Sequence, residues 1–262
     1  MQTGSSRAMA ASGLAVRAGK RRWPARLDVL LSASGLALVL FLWGHMFFVA
    51  SILLGKDAMW AVTRFFEGYY LFGEAHPEIV SVIVALVIAL FVGHAVLALR
   101  KVPGSYRQYR EFRSHMNIFH HTDTSLWFWQ AFTGFALLFL ASPHLYAMLT
   151  HADSIGPYGS SDRVWSDRMW GLYAVLLLAV EFHGGIGLYR LIVKWGWFGN
   201  HDPLAARARL RRLKWAITGF FLALGFLTLA AYIRIGIEHA DRYGEPYVPA
   251  FIQKMPPPGG GQ

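Results

Sequence analysis

Six residues of this 262-residue chain could do chemistry where water is scarce: His45, His94, His144, His183, Glu67 and Glu181. The four histidines fall one each in four long apolar stretches, and an ionisable side chain inside a bilayer costs about 2.5–3.5 kcal/mol or more. A functional role is the default for such residues. The structural alternative, an interhelical hydrogen bond, suits a lone histidine better than four distributed this way. At about 1.5 Å per residue from the outer end of each stretch, His45 lies roughly 14 Å deep, His144 roughly 8 Å, His94 roughly 22 Å and His183 roughly 21 Å. Pairing His45 with His144 and His94 with His183 leaves mismatches of about 6 and 2 Å, whereas either other pairing totals about 22 Å. The spacing therefore predicts two bis-His sites, one outer and one inner, roughly 11 Å apart along the membrane normal. Two trans imidazoles on a porphyrin iron form a low-spin b-type haem suited to electron transfer, whereas zinc asks for three or four ligands at one point.

Glycines beside these histidines (Gly44, Gly93, Gly184, Gly185, Gly187) agree with a flat macrocycle wedged between helices, and Pro143 can kink the third stretch just before His144. The other seven histidines (His76, His115, His120, His121, His151, His201, His239) fall in connections or at helix ends and read as solvated. Glu67 lies in an aromatic outer connection, Trp60 to Phe72, where apolar surroundings raise a carboxylate pKa and let it accept a proton. Quinol oxidation requires that, since two protons leave with two electrons. The competing role for Glu67 is a surface ion pair with Arg64. Glu181, two residues before His183, is the only deeply placed carboxylate. Moving two electrons inward against the membrane potential costs about 4.6 kcal/mol per 100 mV, and a proton relayed with each electron would cancel it.

The elements that must position these residues follow from composition. Of the chain, 55% is apolar and 15% charged, well below the roughly 25% of a soluble domain. Five apolar runs, at 29–54, 79–99, 126–149, 169–193 and 215–233, are each long enough to cross a hydrocarbon core of about 30 Å as a helix. Backbone in lipid must satisfy its own hydrogen bonds, so runs of this kind are helical. The expectation is an all-α membrane protein, a five-helix bundle enclosing two b haems. Eighteen of the 25 Lys and Arg residues fall before the first run and in the second and fourth connections, placing the amino terminus in the cytoplasm and the carboxyl terminus outside. The first run is too long for a signal core. The reading divides the chain into a basic cytoplasmic tail (1–27), the dihaem domain (28–237) and a flexible outer tail (238–262), with residues 1–20 and Met255 to Gln262 as flexible ends. Absence of Cys excludes disulfides, thiolate zinc sites, Cys-ligated clusters and c-type haem in this chain. The net charge of +10 is topological rather than a sign of nucleic acid.

From about Pro24 to Tyr232 the sequence resembles the dihaem cytochrome b membrane subunit of quinol:fumarate reductases, related to the anchors of succinate dehydrogenases. The resemblance is carried by Gly-His-Met-Phe-Phe-Val-Ala-Ser-Ile-Leu-Leu-Gly (44–55), His94 to Arg100, Tyr106-Arg-Gln-Tyr109, Asp123 to Gln130, His144-Leu-Tyr146, Glu181-Phe-His-Gly-Gly-Ile-Gly-Leu-Tyr-Arg190 and Val193-Lys-Trp-Gly-Trp-Phe198. It implies that His45 and His144 hold a distal haem b and His94 and His183 a proximal one. It further implies that Glu67 takes part in menaquinol oxidation, that Glu181 lies on a transmembrane proton path, and that Ser32, Trp127 and Lys194 stand near the proximal haem propionates. Leu31 departs from the pattern, which has a polar Gln there. The family adds a flavoprotein with FAD, an iron–sulfur subunit, a bacterial inner-membrane location and a dimer of heterotrimers. Electrons would pass from menaquinol near the outer face through distal and proximal haems to the iron–sulfur subunit, for cytoplasmic fumarate reduction. Three alternatives stay open at the level of sequence: the same anchor run in reverse as succinate:quinone reductase, a haem-free proton-coupled transporter, and an anchor for a hydrogenase or formate dehydrogenase, which the quoted stretches fit poorly.

Overall fold

A computed structural model describes residues 3–119, 122–198 and 202–253. His120, His121, His201 and the Pro/Gly-rich end fall outside these residues, as does the side chain of His115. The described chain is helical: α1 (Thr3–Ala50), α2 (Lys56–Phe66), α3 (Tyr69–Phe72), α4 (Pro77–Leu99), α5 (Tyr106–Phe119), α6 (Thr122–Thr150), α7 (Pro157–Trp165), α8 (Trp170–Trp195), α9 (Pro203–His239) and α10 (Ala250–Gln253). Five stretches are long and apolar enough to cross a membrane: Trp23–Leu54, Pro77–Leu99, Ser125–Thr150, Trp170–Trp195 and Pro203–Arg242. They contain the five runs expected from hydropathy, apart from Met169 at the edge of the fourth. The chemistry of their ends explains where they stop. Proline occupies the first turn of α4, α7 and α9, where its missing N–H costs nothing, and the Asp202 carboxylate caps α9 by accepting from the Leu204 and Ala205 amides at 2.9 and 3.0 Å. Gly196 ends α8 in a left-handed conformation (φ 67°).

Four of the long helices surround a common space: α1 packs on α4, α4 on α6, α6 on α8, and α8 returns to α1. The fifth, α9, lies outside this ring against α8 and α1. Lipid offers no hydrophobic drive between helices, so close approach at small residues matters. At Gly225 of α9 a Cβ would meet Leu177 of α8 at 2.6 Å and Met46 of α1 at 2.8 Å, so glycine brings the three helices together there. The same seam holds the stacked pair Trp43 and Phe221, with ring centres 5.2 Å apart.

Three readings of the termini change. Helix α1 begins at Thr3, so its backbone is helical over residues 3–20 of the segment read as a flexible tail. The segment after the last span is docked over 238–253 rather than loose. His239, read as a solvated histidine, is 1% exposed: its Nδ1 lies 2.8 Å from Asp162 Oδ1, and Tyr158 stacks on its ring at 3.9 Å. Asp162 also accepts from the Gly244 amide, and Asp57 takes the Tyr247 hydroxyl (2.7 Å) and the Ala250 amide (3.2 Å). Two carboxylates thus tie the strap to α7 and α2. The polar residues after 237 resemble a solvated tail because their partners lie 77 to 193 positions away in sequence.

Candidate functional site

Helices α1, α4, α6 and α8, with parts of α2, α7 and α9, line a cavity of about 1,020 Å³, and all four intramembrane histidines line it, one from each of the four ring helices. They meet in the pairs expected from depth. The ring centres of His45 and His144 are 6.1 Å apart and those of His94 and His183 are 6.4 Å apart. A metal–imidazole bond of about 2.0–2.1 Å plus about 1.1 Å from nitrogen to ring centre separates two trans imidazoles by roughly 6.2–6.4 Å. Each pair therefore has the spacing to share one metal ion between its rings. Among the described residues no three His, Asp or Glu converge, as a tetrahedral zinc site would need.

The inner pair has the supporting contacts of a ligand pair. His183 Nδ1 donates to the Gln130 carbonyl at 2.9 Å, with the Thr133 hydroxyl at 3.4 Å. His94 Nδ1 lies 3.0 Å from the Ser34 hydroxyl, which itself donates to the Leu31 carbonyl at 3.1 Å and so accepts from the imidazole. Engaging Nδ1–H in this way fixes the tautomer that leaves Nε2 with a free lone pair. Two glycines make room for these rings. A Cβ at Gly35 would stand 3.0 Å from His94 Cε1, and one at Gly134 3.0 Å from His183 Cε1. Gly184 and Gly187 line the cavity, but Gly185 faces α9, and Gly44 and Gly93 do not line it. Gly134→Val is accordingly expected to turn His183 from its position and deplete one bis-His haem signal, which haem quantification on the purified variant checks. The outer pair is held differently. Phe41 stacks on His45, Tyr173 meets His144 edge-on, and His144 Nδ1 is buried without a hydrogen-bond partner among the described residues.

One mouth of the cavity is polar and basic. Ser32, Trp127 and Lys194 all line it, together with Asp28, Lys101, Gln130 and Arg190. Lys194 Nζ donates to Ser32 Oγ at 3.2 Å, and Lys101 pairs with Asp28 at 2.7 Å. Leu31 lines the same mouth and leaves an apolar wall where a Gln would offer an amide. The Gln130 side chain accepts from Arg190 at 2.5 Å while its backbone holds His183, so one residue couples the inner histidine to the basic mouth. Sequence reasoning missed Ser34, Gln130, Thr133, Gly35 and Gly134. Ser34 and Gly35 are adjacent on α1, and Gln130, Thr133 and Gly134 lie within about one turn on α6, but nothing local marks them as facing a histidine. Arg163 lines the cavity on α7, beyond the reach of a depth count.

The two carboxylates do not line the cavity. Glu67 follows α2, whose Thr63 and Phe66 do line it, and is 0% exposed with Arg64 Nη1 2.5 Å from Oε2. The proposed proton acceptor and the competing ion pair are thus one arrangement. Burial pushes the Glu67 carboxyl above its usual range, and the Arg64 charge pulls partly back. Glu181 is 1% exposed on the side of α8 away from the cavity, beside the Trp43 side chain of α1.

Residues 106–228 match the family of succinate dehydrogenase/fumarate reductase transmembrane subunits. Over 230 residues the chain is 50% identical to the fumarate reductase cytochrome b subunit of Wolinella succinogenes, covering 88% of this chain and 90% of that one. Subunits of the same description from Helicobacter pylori are 54% identical (strain J99) and 52% identical (strain 26695) over 217 residues, 83% of this chain and 84% of theirs. With the histidine-lined bundle, this identity shows that the chain belongs to the succinate dehydrogenase/fumarate reductase transmembrane subunit family, among its fumarate reductase cytochrome b members.

Proposed function

We propose that this multi-pass inner-membrane subunit binds two b haems, one between His45 and His144 and one between His94 and His183, and couples menaquinol oxidation at its outer face to fumarate reduction by partner subunits. The observation that supports this most directly is the pair of ring separations, 6.1 and 6.4 Å, inside one large cavity. When bound, the haems supply one-electron exchange between quinol and an iron–sulfur partner, and the partner flavoprotein carries FAD and the dicarboxylate site. The chain's own residues do the rest. Ser34, Gln130 and Thr133 orient the inner imidazoles, while Ser32, Trp127 and Lys194 present donors and positive charge to the propionates at the basic mouth. Glu67 takes the proton released by the quinol hydroxyl, and Arg64 stabilises its carboxylate and fixes its orientation. The basic connections face the cytoplasm and dock the iron–sulfur subunit. The assembly is a dimer of heterotrimers. The same wiring supports succinate:quinone reduction, and relative quinol and fumarate kinetics of the whole complex decide the direction.

A reduced-minus-oxidised visible spectrum with haem quantification tests the reading. Two low-spin b haems per chain are expected, and a colourless folded protein would overturn it in favour of a haem-free transporter. Glu181 acts as the transmembrane proton relay. Glu181→Gln should keep both haems yet slow turnover under a membrane potential of about 100 mV by about 50-fold, given about 2.3 kcal/mol per charge per 100 mV. An unchanged rate with unchanged charge balance would defeat the relay.

A further inference from the structure

A second, smaller space lies away from the histidines, in the seam where α9 packs on α8 and α1. It measures about 40 Å³, enough for a water molecule, and its walls include Trp43, Gly185, Tyr189, Lys214 and Ile217. Lys214 is 6% exposed and has no carboxylate partner among the described residues. Its compensation is the Trp215 ring, whose centre lies 3.4 Å from Nζ. An ammonium group has three N–H donors, and an aromatic face does not use them all. A buried lysine left in this state must either hold a hydrogen-bonding ligand or give up its proton.

The register of the seam relates Lys214 to the buried carboxylate. At Gly185 of α8 a Cβ would come within 2.5 Å of Thr218 Oγ1 and 3.8 Å of Lys214 Cγ, so these three positions face one another. Glu181 stands one turn from Gly185 on α8, and Thr218, 3% exposed, one turn from Lys214 on α9. The two helices run in opposite directions, so Thr218 lies between Lys214 and Glu181 in depth. Lys214 is also the last of the basic residues that open α9, at the border between the basic connection and the apolar span.

We propose that Lys214 is the inner terminus of the transmembrane proton path: it receives protons arriving along the α8–α9 seam and releases them through the water-sized space to the cytoplasmic side. One Nζ–H bond breaks as a proton leaves to water and another forms as the next arrives, one proton per electron transferred, with no change in oxidation state. This rests on the relay reading of Glu181. It gives the basic border of α9 a transport role separate from the basic mouth of the large cavity.

The test uses the complete complex in sealed vesicles, driven by quinol, with the potential imposed by a potassium gradient or collapsed by an ionophore. Haem content is the control for assembly. Lys214→Met is expected to lower the ratio of energised to collapsed turnover about 50-fold at about 100 mV and to make turnover electrogenic to a voltage-sensitive dye. Lys214→Arg, which keeps the charge but does not release a proton, should behave in the same way and serves alone if the Met variant fails to assemble. Wild-type behaviour of Lys214→Arg would make Lys214 a fixed charge and overturn the proposal. Wild-type behaviour of Lys214→Met beside an impaired Glu181→Gln would place the exit elsewhere while leaving the relay intact. If Glu181→Gln also behaves as wild type, the relay reading fails, and the proposal with it.

Discussion

Replacing His183 with alanine is expected to remove one of two low-spin b haem signals and leave the other, with His45→Ala removing chiefly the complementary one. The pairs explain why the losses separate. Among the histidines with described side chains, His183 has its ring contact with His94 across 6.4 Å, and His45 has its own with His144 across 6.1 Å. Loss of one imidazole leaves a five-coordinate site at best, in which low-spin character and retention both fall. The inner site should be the more sensitive to its surroundings, because its imidazoles are held by Gln130 and Ser34, whereas His144 Nδ1 has no such partner among the described residues. Depletion of second-contact partners of this kind typically costs about 10–100-fold in metal affinity. Haem content and the reduced-minus-oxidised spectrum of each purified variant check this. Loss of both signals from either single substitution would show that the two sites are not independent.

Glu67→Gln is expected to abolish quinol oxidation, by about 10²–10⁴-fold, while both haems remain bound. Glutamine keeps the shape and cannot accept the proton. The pH profile carries the sign. Burial raises the Glu67 pKa, and the base works only when ionised, so the acid limb of quinol oxidation should lie above the pH at which an ordinary carboxylate titrates. Arg64 lowers that pKa by its charge, so Arg64→Leu should move the limb further up in pH. Steady-state quinol oxidation across pH, in the complete complex, measures both effects. Retained turnover in Glu67→Gln would remove this residue from the mechanism, and a downward shift in Arg64→Leu would contradict the ion pair.

The five spans and the two histidine pairs were legible in the sequence because both are properties along a helix axis. Apolar length is set by bilayer thickness, and depth by a fixed rise per residue, so counting from a span end is enough to match His45 with His144 and His94 with His183. Rotation about the axis is a different matter. Gly185 is as close to His183 in sequence as Gly184 is, yet it faces α9 while Gly184 lines the cavity. Glu181, two residues from His183, likewise turns away from the cavity and into the seam. Only the packing of the ring could decide which glycines free space for the imidazoles, and it selects Gly35 and Gly134, on helices other than those of the histidines they cradle.

By itself the sequence determined that this is an all-α membrane chain carrying a pair of histidines at each of two depths, because hydropathy and helical rise act locally. Tertiary structure decided what no local rule contains. It chose the Nδ1 partners that fix the inner imidazoles, and it merged the two roles considered for Glu67 into one buried pair with Arg64. It also drew the segment after 237 down onto Asp162 and Asp57, burying a histidine that reads as solvated. Each of these is a contact between helices or across a long loop, and such contacts depend on helix rotation and on partners far away in the chain.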